Sequence, residues 1–251
     1  MFKQITIKTI SIAIILLLFS LNGYAQNKIT PVDTFNKVII SPHLEVVFQE
    51  GEEESVKIES INLPIDKFNA EVKDLTLHLY LDGAKITSPT KKEKKNGWKQ
   101  RTSIYKGTQA KVIITYKEVN TFALRGEEKI VFKSPLEQEK CTLNIYGESQ
   151  VYIKEANIDD LKVVVYGESF LEIMEGETGE QKFTVYGEGK VDALNVTSEF
   201  TKITAYGDGH FKLNAQERLK ITAFGEPTIL HKGNAKMKAM VIGEAHIKKL
   251  F

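Results

Sequence analysis

The chain has 251 residues, with 34 Lys and Arg against 33 Asp and Glu, a formal net charge of +1. One cysteine, Cys141, excludes an intramolecular disulfide, so stability must come from packing and backbone hydrogen bonds. The length allows one large β domain or two small ones.

Residues 1–25 read as a secretory signal peptide. Lys3 and Lys8 give the basic start, Ile10 to Leu21 the apolar stretch, and Gly23-Tyr24-Ala25 the small residues before a cut at Gln26. The apolar stretch is shorter than the roughly 20 residues that cross a bilayer, so no uncleaved anchor is expected. No cysteine lies near the cut, which argues against a lipoprotein. The expected location is therefore outside the cytoplasm: periplasm, cell surface or medium.

Residues 26–125 form an irregular β region. Alternating runs over 34–40, 44–49, 55–60 and 72–81 are separated by turn signals at Ser41-Pro42-His43, Glu50-Gly51-Glu52 and Leu63-Pro64. Runs 110–116 and 120–124 follow. The expectation is a wider, less regular start to a solenoid, or a small β-sandwich capping it. Within this region, 84–109 is a basic insertion with eight Lys and Arg against Glu93 alone. Asn96-Gly97 is a two-residue hairpin signal, followed by Trp98. Lys94, Lys95, Trp98, Lys99 and Arg101 are candidate ligand-binding residues for an acidic polysaccharide, an anionic lipid surface or nucleic acid. Export makes nucleic acid the poorest fit of the three. The plain alternative is a solvated loop without a partner.

Residues 126–251 are paced by a repeat. Tyr146-Gly147-Glu148, Tyr166-Gly167-Glu168, Tyr186-Gly187-Glu188 and Tyr206-Gly207-Asp208 recur every 20 residues. Phe224-Gly225-Glu226 and Ile242-Gly243-Glu244 follow at intervals of 18, and Arg125-Gly126-Glu127 precedes the series by 21. Around each corner the pattern alternates with period two, as in Leu161, Val163 and Val165 before it and Leu171 and Ile173 after it. Such a period predicts an all-β fold, a single-stranded parallel β-helix (β-solenoid) with 18–21 residues and two short strands per coil. Right-handed winding follows from the usual hand of parallel crossovers. Glycine serves each corner by reaching positive φ.

Stacking turns these columns into ladders about 4.8 Å per rung. Tyr146, Tyr166, Tyr186 and Tyr206 are a stabilising ladder on the plain reading and an aromatic strip for sugar rings on the functional one. The acid column splays into solvent or caps turns; a Ca²⁺ stripe would lack the usual Asp-rich loop. Cys141 is in phase with Leu143 and Ile145 and reads as a small buried hydrophobe.

Thr34-Phe35-Asn36-Lys37-Val38-Ile39-Ile40 and Leu44-Glu45-Val46-Val47-Phe48, together with the recurring glycine corners, resemble the autotransporter-adhesin head GIN domain family over about residues 34–249. The resemblance implies an exported β-helical protein. The chain departs from the family pattern in placing an acid after the corner glycine and in its basic insertion.

The histidines lack metal-ligand spacing, there is no phosphate-cradling loop or nucleophile elbow, and no cofactor or metal is expected. The leading function is a non-catalytic binding or adhesion module of the envelope, with envelope or host glycans, anionic lipid or protein as partners. A carbohydrate-active enzyme is the rival, with Asp159-Asp160 as its only adjacent Asp pair. A purely structural envelope component is the third reading.

Overall fold

The computed structural model describes residues 28–88, 90–95 and 98–250, with side chains at all of these except 28, 93–95 and 98–101. The expected signal peptide and the Asn96-Gly97 turn lie outside the described residues.

The regular half forms as the repeat predicts. Strands β12 (Leu136–Gly147), β13 (Gln150–Gly167), β14 (Phe170–Tyr186), β15 (Lys190–Tyr206) and β16 (His210–Gly225) pair in parallel, each with the next. After β16 come β17 (Thr228–Lys232), β18 (Lys236–Gly243) and β19 (His246–Lys249). The register brings each tyrosine onto the next and Gly147 onto Gly167. A parallel β-helix is therefore the fold.

Each full coil has three inward-facing walls, not the two strands expected. In β13 the buried residues that alternate are Val151 and Ile153, then Ala156 and Ile158, then Leu161, Val163 and Val165, with Val164 buried between the last two. The alternation changes phase twice, and a phase change in an extended chain marks a bend that keeps one side facing inward. The middle wall absorbs the change from 20 to 18 residues. Pairing of β15 with β16 shifts register between Ala193 and Thr197, where Ala215 stands opposite Ser198.

Glycine is demanded at the corners by more than its φ. At Gly167, φ is 101°, and a Cβ there would lie 2.5 Å from the carbonyl oxygen of Gly147 in the coil below. The stacked corners approach too closely for any side chain.

The irregular half is the start of the same solenoid, threaded out of order. Its strands are β1 (Lys28–Pro31), β2 (Lys37–Ile40), β3 (Leu44–Glu50), β4 (Ser55–Ile61), β5 (Phe68–Lys73), β6 (Thr76–Leu81), β7 (Thr90–Lys95), β8 (Trp98–Ser103), β9 (Ala110–Tyr116), β10 (Thr121–Gly126) and β11 (Lys129–Phe132). β2 lies between β6 and β10, all parallel, and β3 lies between β9 and β11. The coil built from β2 and β3 is thus sandwiched between two coils that follow it in sequence. β5 pairs antiparallel with β6, and β4 antiparallel with β9. These returning strands cover the edge at this end of the column. Inside, Phe48 stacks on Phe132 at 4.7 Å and meets Phe122 edge-on at 5.2 Å. The β-sandwich alternative does not form.

Candidate functional site

The basic insertion leaves the solenoid at the same corner column that carries the repeat. It connects β6 to β9, as Ser41-Pro42-His43 connects β2 to β3 and Gly126-Glu127-Glu128 connects β10 to β11. Its strands β7 and β8 form a separate two-stranded antiparallel sheet, with Lys95 opposite Trp98. That register puts Trp98 at the far end of the hairpin. Lys94, Lys95, Lys99 and Arg101 lie along it, and their side chains, like that of Trp98, are outside the described set.

Where the hairpin meets the corners there is a cleft of about 490 Å³, within the range of small-ligand sites. Pro42 and Ile86 supply apolar wall, Arg125 and Tyr146 one flank, and Glu127 and Glu148 exposed carboxylates. The Arg125 guanidinium lies 5.5 Å from the Tyr146 ring centre, over its face.

His43 fixes the root of the hairpin. Its Nδ1 is 2.9 Å from the carbonyl oxygen of Gly107, which can only accept, so Nδ1 carries the hydrogen. In the neutral ring Nε2 then accepts from the Ser88 hydroxyl at 2.8 Å. Ser88 precedes the hairpin and Gly107 follows it, so one imidazole holds both legs. Tyr105 adds an edge-on contact at 5.6 Å. On the outgoing leg, the Ser41 hydroxyl donates to the Lys85 carbonyl at 2.7 Å and accepts from His78 Nε2 at 2.9 Å. Burial, followed by the nearby Lys85 and Arg125 charges, lowers the pKa of His78 and favours its neutral form.

Ser88, His43 and Glu128 follow the order of a nucleophile, base and acid, but their hydrogen bonds serve another end. Glu128 Oε1 is 3.7 Å from Nδ1, whose hydrogen goes to Gly107, while Oε2 accepts from the Glu127 amide at 3.0 Å. The arrangement ties chain segments together. At the rival site, Asp160 is 3.4 Å from Lys182, which also pairs with Glu180 at 2.8 Å. Among the described residues there is no group of three or more His, Cys, Asp or Glu able to hold a metal. None of their helices is long and apolar enough to cross a membrane.

The tyrosine ladder stacks closely. Ring centres of Tyr146, Tyr166, Tyr186, Tyr206 and Phe224 are separated by 5.0, 4.9, 4.8 and 5.2 Å in turn, with planes within 4°. Each inner ring therefore has neighbours on both faces. What reaches solvent is ring edge and hydroxyl, with Tyr166, Tyr186 and Tyr206 about 40% exposed. A sugar has no bare ring face to lie on along this run. The structure brings Tyr146 to the hairpin root and carries the later tyrosines away from it. His43, Ser88 and Glu128 were not picked out in the sequence because their contacts span 45 to 85 residues. Arg125 was visible, as the one basic residue in the aromatic column.

The family described as "Putative auto-transporter adhesin, head GIN domain" matches residues 34–235. Among curated proteins no sequence relative is detected. Several solved structures share the fold. A putative adhesin from Bacteroides fragilis aligns with TM-score 0.74 at 19% identity, covering 89% of this chain and 96% of that one. A putative adhesin from Parabacteroides merdae gives 0.66 at 18%, covering 92% and 98%. A protein from Parabacteroides distasonis described as a putative lipid binding protein gives 0.60 at 19%, again covering 92% and 98%. With four-fifths of its length matched by the family, and its corner repeat in the expected geometry, this chain belongs to the auto-transporter adhesin head GIN domain family.

Proposed function

We propose that the protein is an exported, non-catalytic, adhesin-like binding module of the cell envelope, and that it grips a glycan at the root of its basic hairpin. The observation that carries this reading is the cleft in which the His43-anchored root faces Arg125 and Tyr146. Exposed Glu127 and Glu148 accept hydrogen bonds from sugar hydroxyls, Arg125 donates them, and Pro42 and Ile86 meet the apolar face of a ring. Trp98, Lys94, Lys95, Lys99 and Arg101 extend the grip outward along the hairpin. The names of the similar structures fit an adhesin role, and the one described as a putative lipid binding protein makes an anionic lipid surface the second reading.

Glycan-array binding by the purified protein, with anionic vesicles in parallel, tests this. Glycan binding weakened by at least about tenfold in Arg125→Ala and Tyr146→Ala supports the cleft, since buried polar and aromatic contacts commonly contribute that much. Binding to no glycan, or binding by both variants as tight as the parent's, overturns it.

A further inference from the structure

Four residues before each corner residue from Tyr166 onward stands a lysine. Lys162, Lys182, Lys202, Lys220 and Lys238 precede Tyr166, Tyr186, Tyr206, Phe224 and Ile242. The strand register places each of these lysines directly on the next. On β13 to β16 they alternate with the buried residues of their wall and so face outward, on the same side as the tyrosines, and the register sets Lys238 on Lys220. The result is a lysine column along the solenoid with a rung of about 4.8 Å.

Like charges at that spacing repel, and the first rungs answer this with acids. Asp160 and Glu180 occupy the column two residues earlier, and Lys182 pairs with both. Beyond them the answering column changes character. It continues as Phe200, Arg218 and Lys236, with the Arg218 guanidinium 4.9 Å from the Phe200 ring. The wall segments 200–206, 218–224 and 236–242 thus hold Lys202, Arg218, Lys220, Lys236 and Lys238 and no acid. None of the five has a carboxylate within ion-pairing distance among the described residues. Thr204 and Thr222 lie between the lysines and the ladder, offering hydroxyls beside the charges.

We propose that this wall binds an extended anionic polysaccharide lying along the solenoid axis, its carboxylate or sulfate groups on Lys202, Lys220 and Lys238. The column matches a chain that repeats its charge in one direction, and the threonine and Tyr206 hydroxyls meet sugar hydroxyls. Single-stranded nucleic acid fits poorly, because base stacking needs free aromatic faces and the ladder covers its own. The wall is distinct from the hairpin cleft. It begins on β15, three rungs beyond Tyr146 of the cleft, so roughly 14 Å of the axis separates the two.

The test is titration calorimetry of the whole protein with polygalacturonate, dextran sulfate, neutral dextran, DNA and vesicles containing phosphatidylglycerol. The expected result is salt-sensitive binding of polygalacturonate or dextran sulfate, whichever charge the wall prefers, and none of neutral dextran. The triple variant K202Q/K220Q/K238Q should bind at least about tenfold more weakly, since three exposed ion contacts are lost. The matched surface variant K57Q/K73Q/K133Q should bind as the parent does, and K202R/K220R/K238R should retain binding. Equal binding by the Gln variant and its control overturns the proposal. So does tighter binding of DNA or vesicles than of either polysaccharide, for which exposed Met240 and Ile242 give a bilayer an apolar foothold.

Discussion

Nδ1 of His43 donates to the carbonyl oxygen of Gly107 at 2.9 Å, joining a solenoid corner to the returning leg of a hairpin 64 residues later. With the Ser88 bond on its other nitrogen, this ring decides how firmly the hairpin is mounted. His43 has φ of 74°, so His43→Asn keeps a residue that tolerates this backbone while removing both bonds. The variant should lose about 2 kcal/mol and roughly 5 °C in Tm. Hydrogen exchange should quicken across 84–109 and leave the amides of β13 and β14 protected. Uniform quickening, or none, would show that the ring does not anchor the hairpin.

Two glycines with positive φ should respond very differently to alanine. At Gly167 the new Cβ meets the Gly147 oxygen at 2.5 Å, whereas at Gly107 it meets nothing within 4 Å. Gly167→Ala should cost about 3 kcal/mol, from clash and backbone strain together. Gly107→Ala should cost about 1 kcal/mol, the strain alone. Urea midpoints of the two variants check the ranking; equal losses would mean that corner spacing does not limit the side chain.

Tyr186 separates the two uses of the ladder. Tyr186→Ala removes stacking on both Tyr166 and Tyr206 and should cost about 1–3 kcal/mol. Tyr186→Phe keeps both contacts and should lie within about 0.5 kcal/mol of the parent. If the exposed hydroxyls bind ligand, Tyr186→Phe weakens binding at unchanged Tm. A scaffold role alone predicts no effect on binding.

Gln181, Thr178 and Thr201 place polar groups inside an otherwise apolar stretch of the column. Gln181 donates from Nε2 to the Thr201 hydroxyl at 2.9 Å, but Gln181 Oε1 and Thr178 Oγ1 are buried without a protein partner. Thr178→Val replaces an unsatisfied hydroxyl with a methyl of similar size and should stabilise the protein by about 1 kcal/mol. Thermal melts decide it, and a loss of stability would mean that the hydroxyl is satisfied in solution.

The corner repeat was legible because every coil pays the same steric demand at the same place. Gly147, Gly167, Gly187 and Gly207 must all lack a side chain, and the tyrosines beside them must all stack. The third wall was present as phase changes at Ala156, Gly176 and Val196, but two residues are too few to announce a strand. The placing of β2 between β6 and β10 left no local trace. Ser41-Pro42-His43 turns its corner without glycine, and parallel pairing over such distances is set by the whole column rather than by its own residues. The lysine column needed only the spacing from Lys162 to Tyr166 read down the repeat; isolated lysines on an outward face attract no notice until register stacks them.

Cys141 gives the last prediction, and its sign follows from where the thiol ionises. The side chain is buried beside Leu143 and Ile145, and burial pushes its pKa up to about 12. In the unfolded chain a thiol ionises near 8.5. Between these values the unfolded state has lost the proton and the folded state has kept it, so stability falls as pH rises through the window and is unaffected below it. The slope should approach about 1.4 kcal/mol per pH unit. Tyrosines and lysines titrate in the same range, Tyr116 with its pKa also pushed up by burial, so the test is a difference. The stability of the parent minus that of Cys141→Ala should be constant from pH 7 to 8 and shrink steadily above 9. A difference that stays constant to pH 11 would mean that the folded thiol ionises as readily as the unfolded one, and that the wall around it opens to water.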